Sequence, residues 1–189
     1  MNKIQQQKVA LVAGASGIIG SQLVKTLLRN GWEVIGLSRH ALSHPDGIPL
    51  VEVDLLDAED SARALRPLSN ITHIFYSAWV NAANWTEMVA PNVTMLRNLV
   101  SQIEHRAPLQ AVSLMQGYKV YGAHLGPFKT PARESDPGVP GAEFNAAQLA
   151  WLSHFQRGKT WHWNAIRPGV VGSAVPGNTM NLVLSIALY

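Results

Sequence analysis

Three glycines spaced three apart, in Gly14-Ala15-Ser16-Gly17-Ile18-Ile19-Gly20, form the most chemically suggestive stretch of the chain. The G-x-x-G-x-x-G spacing differs by one residue from the G-x-G-x-x-G of dinucleotide-binding loops, but the physics is shared. The first glycine permits a tight turn after a strand. The second lets backbone N–H groups approach a pyrophosphate, and the third lets the following helix pack closely on the sheet. Gly14, Ser16, Gly17, Ile18, Ile19 and Gly20 are therefore expected to cradle a dinucleotide, the alternative being glycines that serve only a turn. Further on, Gly36-Leu37-Ser38-Arg39 ends a second apolar run. It lacks the Asp or Glu that would accept from a ribose 2′-hydroxyl. A hydroxyl and a guanidinium suit a 2′-phosphate instead, so NADPH is expected over NADH. The bland alternative for Arg39 is an exposed loop side chain. Asp54 and Leu55 would flank the adenine, or Asp54 is merely a turn residue.

Other candidates lie in the middle of the chain. Lys119 is either a solvated loop lysine or a functional one. Tyr121 either serves as a hydrogen-bond donor or packs under its loop. Trp79 and Trp85 either line an apolar substrate pocket or are core aromatics. His40 and His44 are four apart but lie in a loop with no third ligand nearby, so no metal site is expected.

The elements that must hold these residues alternate short apolar runs with amphipathic helices, the pattern of a parallel α/β sheet. Strands are expected at Lys8–Gly14, Trp32–Ser38, Pro49–Leu55, Ile71–Ala78, Leu109–Gln116 and Trp161–Arg167. Helices are expected at Ile18–Asn30 (Ile19, Leu23 and Leu27 inward), Asp57–Leu65, Thr86–His105 (Val89, Val93, Leu96, Val100 and Ile103 inward) and Ala142–Arg157 (with Phe144, Trp151 and Phe155). This makes a doubly wound Rossmann sheet in a three-layer α-β-α sandwich. Gly117–Gly141 is a long Gly/Pro-rich stretch leaving the carboxyl end of the fifth strand, where open α/β sheets bind ligands.

Composition narrows the rest. The 189 residues suit one domain, and 14% charged residues with 47% hydrophobic exclude charge-driven disorder. No cysteine means no disulfide framework and no thiolate metal site. The net charge is +3, with five Lys and Arg in each third of the chain, so no basic stripe argues for nucleic acid. No apolar run is long enough for a membrane span or signal peptide, so a cytoplasmic protein is expected. Residues 1–172 read as the nucleotide-binding domain. Residues 173–189, ending in the apolar Met180–Tyr189, read as the start of a truncated substrate-binding region.

Several stretches together resemble one family: Gly14–Gly20, Ser38-Arg39, His73–Trp79, Asn92–Asn98, Gln116–Phe128, Arg167–Gly172 and Met180-Asn181-Leu182. They resemble the extended or atypical branch of the short-chain dehydrogenases/reductases. More narrowly, they resemble the progesterone 5β-reductase/iridoid synthase-like reductases, of the NAD-dependent epimerase/dehydratase type. The resemblance implies an NADPH-dependent reduction of an activated C=C bond, or of a carbonyl, in a small apolar molecule. It implies cofactor contacts at Ala78, Trp79, Gln116 and Lys119 and, past the last strand, at Pro168, Gly169 and Val170. Its lysine falls on Lys119 and its catalytic tyrosine on Asn145, so the catalytic candidates are Lys119, Asn145 and Tyr121. An Asn amide can donate a hydrogen bond to an enolate but supplies no proton. That substitution leaves a non-catalytic NADPH-binding module open as a second reading. A nucleotide-sugar epimerase or dehydratase is a weaker third, because the helix offers Asn145 and Leu149 where a Tyr-x-x-x-Lys pair would be needed. A homodimer is possible on the resemblance alone.

Overall fold

The structure, a computed structural model, describes residues 7–40, 43–139, 141–172 and 186. Residues 173–185 and 187–189, and with them the expected start of a second region, lie outside the described residues. Six parallel strands run β1 (Val9–Ala13), β2 (Glu33–Ser38), β3 (Leu50–Glu52), β4 (His73–Tyr76), β5 (Ala111–Met115) and β6 (His162–Ile166). In space their order is β3-β2-β1-β4-β5-β6, so the chain reverses direction across the sheet between β1 and β4. β1 is central and buried at all five positions, which is why it reads as an unbroken apolar run rather than an alternating one. Thr72 clips it to β4: its hydroxyl accepts from the Val9 N–H at 2.9 Å and donates to the Val9 carbonyl at 3.0 Å.

The helices are α1 (Ile18–Arg29), α2 (Ala58–Leu65), α3 (Val89–Glu104) and α4 (Phe144–Phe155). Helices α2, α3 and α4 pack on one face, where Leu11, Ile74 and Leu114 of the strands meet Leu65, Leu96, Leu99 and Leu152. On the other face α1 sets Val24 and Leu27 against Ala10, Val12 and Val34. The inward stripes differ from those expected. On α1 the buried side chains are Ile18, Val24 and Leu27, with Ile19 and Leu23 only partly covered. On α3, Asn92, Met95 and Leu99 are buried, whereas Val89 and Val93 are not. On α4, Asn145, Ala146, Gln148 and Leu152 are buried. Trp151 and Phe155 stack on each other at its partly covered edge, 4.7 Å between centroids.

Helix starts follow from local chemistry. Asp57 caps α2 by accepting from the N–H groups of Glu59 and Asp60 at 2.8 and 3.0 Å. Glu143 caps α4 by accepting from the Ala146 N–H at 2.9 Å. Such caps satisfy otherwise orphaned donors. α1 is different: Gly17 occupies its cap position with no side chain to offer, and its first turn holds no acidic residue.

Candidate functional site

The carboxyl ends of β1, β2 and β4 surround a cleft of about 270 Å³ at the point where the strand order reverses, the position at which open α/β sheets take ligands. Gly14, Ser16 and Gly17 form one wall. Gly14 adopts φ +82°, and a Cβ there would lie 2.9 Å from the Ser77 carbonyl carbon. A Cβ on Gly20 would lie 2.0 Å from the Gly14 carbonyl oxygen. The first and third glycines are thus required by packing within the protein. Gly17 is not: its φ is an ordinary −77° and a Cβ would meet only the Gly14 oxygen, at 3.3 Å. What its missing side chain leaves open is the cleft itself, beside the uncapped, acid-free first turn of α1, where backbone N–H groups and the helix dipole favour an anion. Ile18 is buried behind this turn and, like Ile19 and Gly20, does not line the cleft.

The loop is held from below by His44, which is 5% exposed. Its Nδ1 faces the Asp46 N–H at 3.2 Å and must accept, so Nε2 carries the proton and donates to the Ala15 carbonyl at 3.3 Å. Ser38 and Arg39 line the next wall. The Ser38 hydroxyl accepts from the His40 N–H at 3.2 Å. Arg39 is exposed and has no ion-pair or hydrogen-bond partner among the described residues. Asp54 and Leu55 also line the cleft. Asp54 is at the same time a turn residue, its Oδ1 accepting from the Leu56 N–H at 2.9 Å.

The far wall is Val53–Leu56 and Ser77–Val80, and α3 holds both segments. Asn98 Nδ2 donates to the Leu55 carbonyl at 2.8 Å. Asn92 clasps Val80 in both directions, accepting from its N–H at 2.9 Å and donating to its carbonyl at 2.8 Å. Ser77 Oγ ties β4 to the Ala13 carbonyl at 2.9 Å. Ala78 and Trp79 line this wall, and Trp79 is half exposed.

The remaining candidates stand farther along the same sheet edge, at the ends of β5 and β6, and do not line this cleft. Gln116 is buried; its Nε2 donates to the Asn145 carbonyl at 2.5 Å. Lys119 sits on a short 3-10 turn, Tyr118–Tyr121, with its ammonium 4.1 Å from the centroid of the Trp85 ring. Trp85 is 36% exposed and, like Trp79, is no core aromatic. Pro168 is partly covered, and Gly169 and Val170 are exposed beyond β6. The Tyr121 hydroxyl accepts from Arg167 Nη1 at 2.9 Å, and Arg167 also donates to the Glu134 carbonyl at 3.0 Å. That contact ties Tyr121 into the loop and leaves its own O–H proton uncommitted. Asn145 is 6% exposed and its Nδ2 donates to Glu143 Oε1 at 2.7 Å. Beside them lies His124, whose ring packs edge-on against Trp85 at 4.4 Å and whose two nitrogens are buried without a partner. Burial holds the His124 pKa below its ordinary value. The negative charge of Glu143 works against that shift and the positive charge of Lys119 adds to it.

Strand order, glycine loop and cleft position together make this a doubly wound protein of the dinucleotide-binding type. Residues 10–158 match the NAD dependent epimerase/dehydratase family, and the chain belongs to that family. It is 32% identical to a 3-oxo-Delta(4,5)-steroid 5-beta-reductase of Arabidopsis thaliana, over 97% of this chain and 51% of the relative. An (S)-8-oxocitronellyl enol synthase of Camptotheca acuminata is 29% identical, over 97% of this chain and 51% of its own length. Among solved structures, the UDP-glucose 4-epimerase of Thermus thermophilus, in complex with NAD, superposes with a TM-score of 0.73. It is 27% identical, over 95% of this chain and 61% of that one. The chain spans about half the length of the curated relatives it matches. Among the described residues no helix is long and apolar enough to cross a membrane.

Proposed function

We propose that the chain carries the nucleotide-binding half of an NADPH-dependent reductase acting on small apolar enones or carbonyl compounds. The observation that carries the cofactor choice is Arg39, unpaired among the described residues and beside Ser38 at the end of β2, with no carboxylate on that strand end. A free guanidinium and a hydroxyl fit a 2′-phosphate, and the gap at Gly17 with the bare first turn of α1 fits a pyrophosphate. When bound, the dinucleotide supplies a hydride. The protein's part is then electrostatic: as charge builds on the substrate's carbonyl oxygen, the Lys119 ammonium on this edge stabilises it. Exposed Trp79 and Trp85 offer flat apolar surface to an unsaturated substrate. The two relatives, a steroid 5-beta-reductase and an enol synthase, support reduction over epimerisation.

A second reading, a non-catalytic NADPH-binding module, is favoured by one observation: the Asn145 amide is committed to Glu143. NADPH consumption across a panel of cyclic and open-chain enones separates the two. On the reductase reading the protein turns over at least one enone, and Lys119→Ala slows it about 100-fold, the usual loss for an oxyanion-stabilising group. Tight NADPH binding with no consumption of any enone would leave the binding module. In that case an Asn145→Tyr substitution that brings turnover would mark a decayed enzyme.

A further inference from the structure

We propose that His124 is the proton donor of this site, an assignment that rests on the reductase reading above. Reduction adds a hydride to carbon and leaves negative charge on oxygen, so a proton must follow. The side chains around Lys119 that could give one are few. Asn145 has none to give. Glu143 is committed as an acceptor on both oxygens, from Asn145 Nδ2 at 2.7 Å and from the Ala146 N–H at 2.9 Å. The Tyr121 hydroxyl accepts from Arg167 Nη1, which fixes it in the loop. His124 is singled out instead by two nitrogens that meet no partner among the described residues and by a ring that shares Trp85 with Lys119.

Its geometry suits the task. Lys119 and His124 are set by consecutive turns: the Gly122 N–H donates to the Lys119 carbonyl and the Leu125 N–H to the Gly122 carbonyl, both at 2.8 Å. Gly122 supplies the left-handed φ of +82° that joins these turns. Trp85 receives both side chains, the Lys119 ammonium at 4.1 Å and the His124 ring at 4.4 Å from its centroid. Both imidazole nitrogens are buried with no hydrogen-bond partner among the described residues. Leaving such a group unsatisfied is costly, and an exception of this kind in a folded protein calls for a reason such as catalysis. The residues that bear charge on His124 are Glu143 at the start of α4 and Lys119 on the 3-10 turn; Trp85 adds none. Burial and Lys119 favour the neutral ring and make the imidazolium the stronger acid.

As the substrate's β-carbon accepts the hydride of a reduced nicotinamide, the C=C pair becomes the double bond between the α-carbon and the carbonyl carbon, and the C=O pair moves onto the oxygen. An imidazolium N–H bond breaks, an O–H bond forms, and the N–H electron pair stays on the ring. The neutral ring regains a proton from water, and the enol tautomerises to the saturated ketone. One proton is consumed for each hydride.

The test compares the unsubstituted protein with His124→Gln and His124→Phe. Three quantities are read: NADPH affinity, reduction of cyclohex-2-enone from pH 5 to 9, and the histidine NMR titration. His124→Phe removes the two unpartnered nitrogens and is expected to fold at least as well as the parent. The expected result is a His124 resonance that titrates below pH 6.5, with turnover rising on acidification and levelling at that same pH. Both variants lose about 100- to 10,000-fold in turnover, the range for a general acid, and lose the bend in the profile. Their NADPH affinity stays within about threefold. Variants that keep the parent's rate and profile would overturn the assignment and leave the reductase reading standing. A parent that binds NADPH and reduces no enone at any pH would remove both. A His124 titration that does not coincide with the bend would also overturn the assignment.

Discussion

Gly20→Ala is expected to lower the thermal unfolding midpoint by about 4–12 °C, the shift that a net loss of about 2–3 kcal/mol produces in a domain of this size. The added methyl would lie 2.0 Å from the Gly14 oxygen, 2.7 Å from the Gly14 carbonyl carbon and 2.9 Å from the Ala15 Cα. All three are backbone atoms, so no rotamer change relieves the clash and α1 must move off the loop. Overpacking typically costs about 1–3 kcal/mol, and a purely backbone clash belongs at the top of that range. Alanine's better helix propensity returns at most about 1 kcal/mol. Circular dichroism melting of the two proteins checks this. A midpoint unchanged within about 2 °C would mean that the close approach of α1 to the glycine loop is not as described.

The neighbouring glycine should behave in the opposite way. Gly17→Val is expected to fold, with a midpoint within about 3 °C of the parent, because φ −77° and ψ 172° suit a β-branched residue and the only nearby atom is the Gly14 oxygen at 3.3 Å. The branched side chain would fill the gap beside the first turn of α1, so NADPH affinity should fall at least about 100-fold, or about 2.7 kcal/mol. Fluorescence titration of NADPH, run beside the melting curves, checks it. Full affinity in Gly17→Val would mean that no phosphate approaches that turn. The contrast between the two glycines, one serving the fold and the other the ligand, is the sharper result.

The tight turn at Gly14 and the close helix packing at Gly20 were legible because only glycine allows them, and the sheet was legible because buried parallel strands read as apolar runs. Element ends were less so. The third strand shrinks from an expected Pro49–Leu55 to Leu50–Glu52, since it lies at the sheet edge with one neighbour only. The helix from Thr86 begins only at Val89. The inward stripe of α1 could not be chosen because Ile18, Ile19, Leu23, Val24 and Leu27 offer two overlapping apolar stripes, and contact with the sheet decides between them. Buried polar residues were the larger gap. Asn92, Asn98 and Gln148 look like surface residues in a sequence. Their partners are backbone carbonyls of distant segments, as with Gln148 Nε2 on the Asn92 carbonyl at 2.9 Å. Asn92 and Asn98 stood out only as part of a resembling stretch, with no role attached. His44 and His124 sit in loops without periodicity, and only the fold shows that one supports Ala15 and the other packs against Trp85 beside Lys119.

The most direct test of the central claim is a calorimetric titration of the protein with NADPH and, separately, with NADH. NADPH is expected to bind at least about tenfold tighter than NADH, with Arg39→Ala removing the preference by weakening NADPH alone, as loss of one charge-assisted contact worth about 1.5–3 kcal/mol would do. Equal affinity for both dinucleotides would contradict the role of Ser38 and Arg39 while keeping the glycine loop. A folded protein that bound neither would contradict the account as a whole.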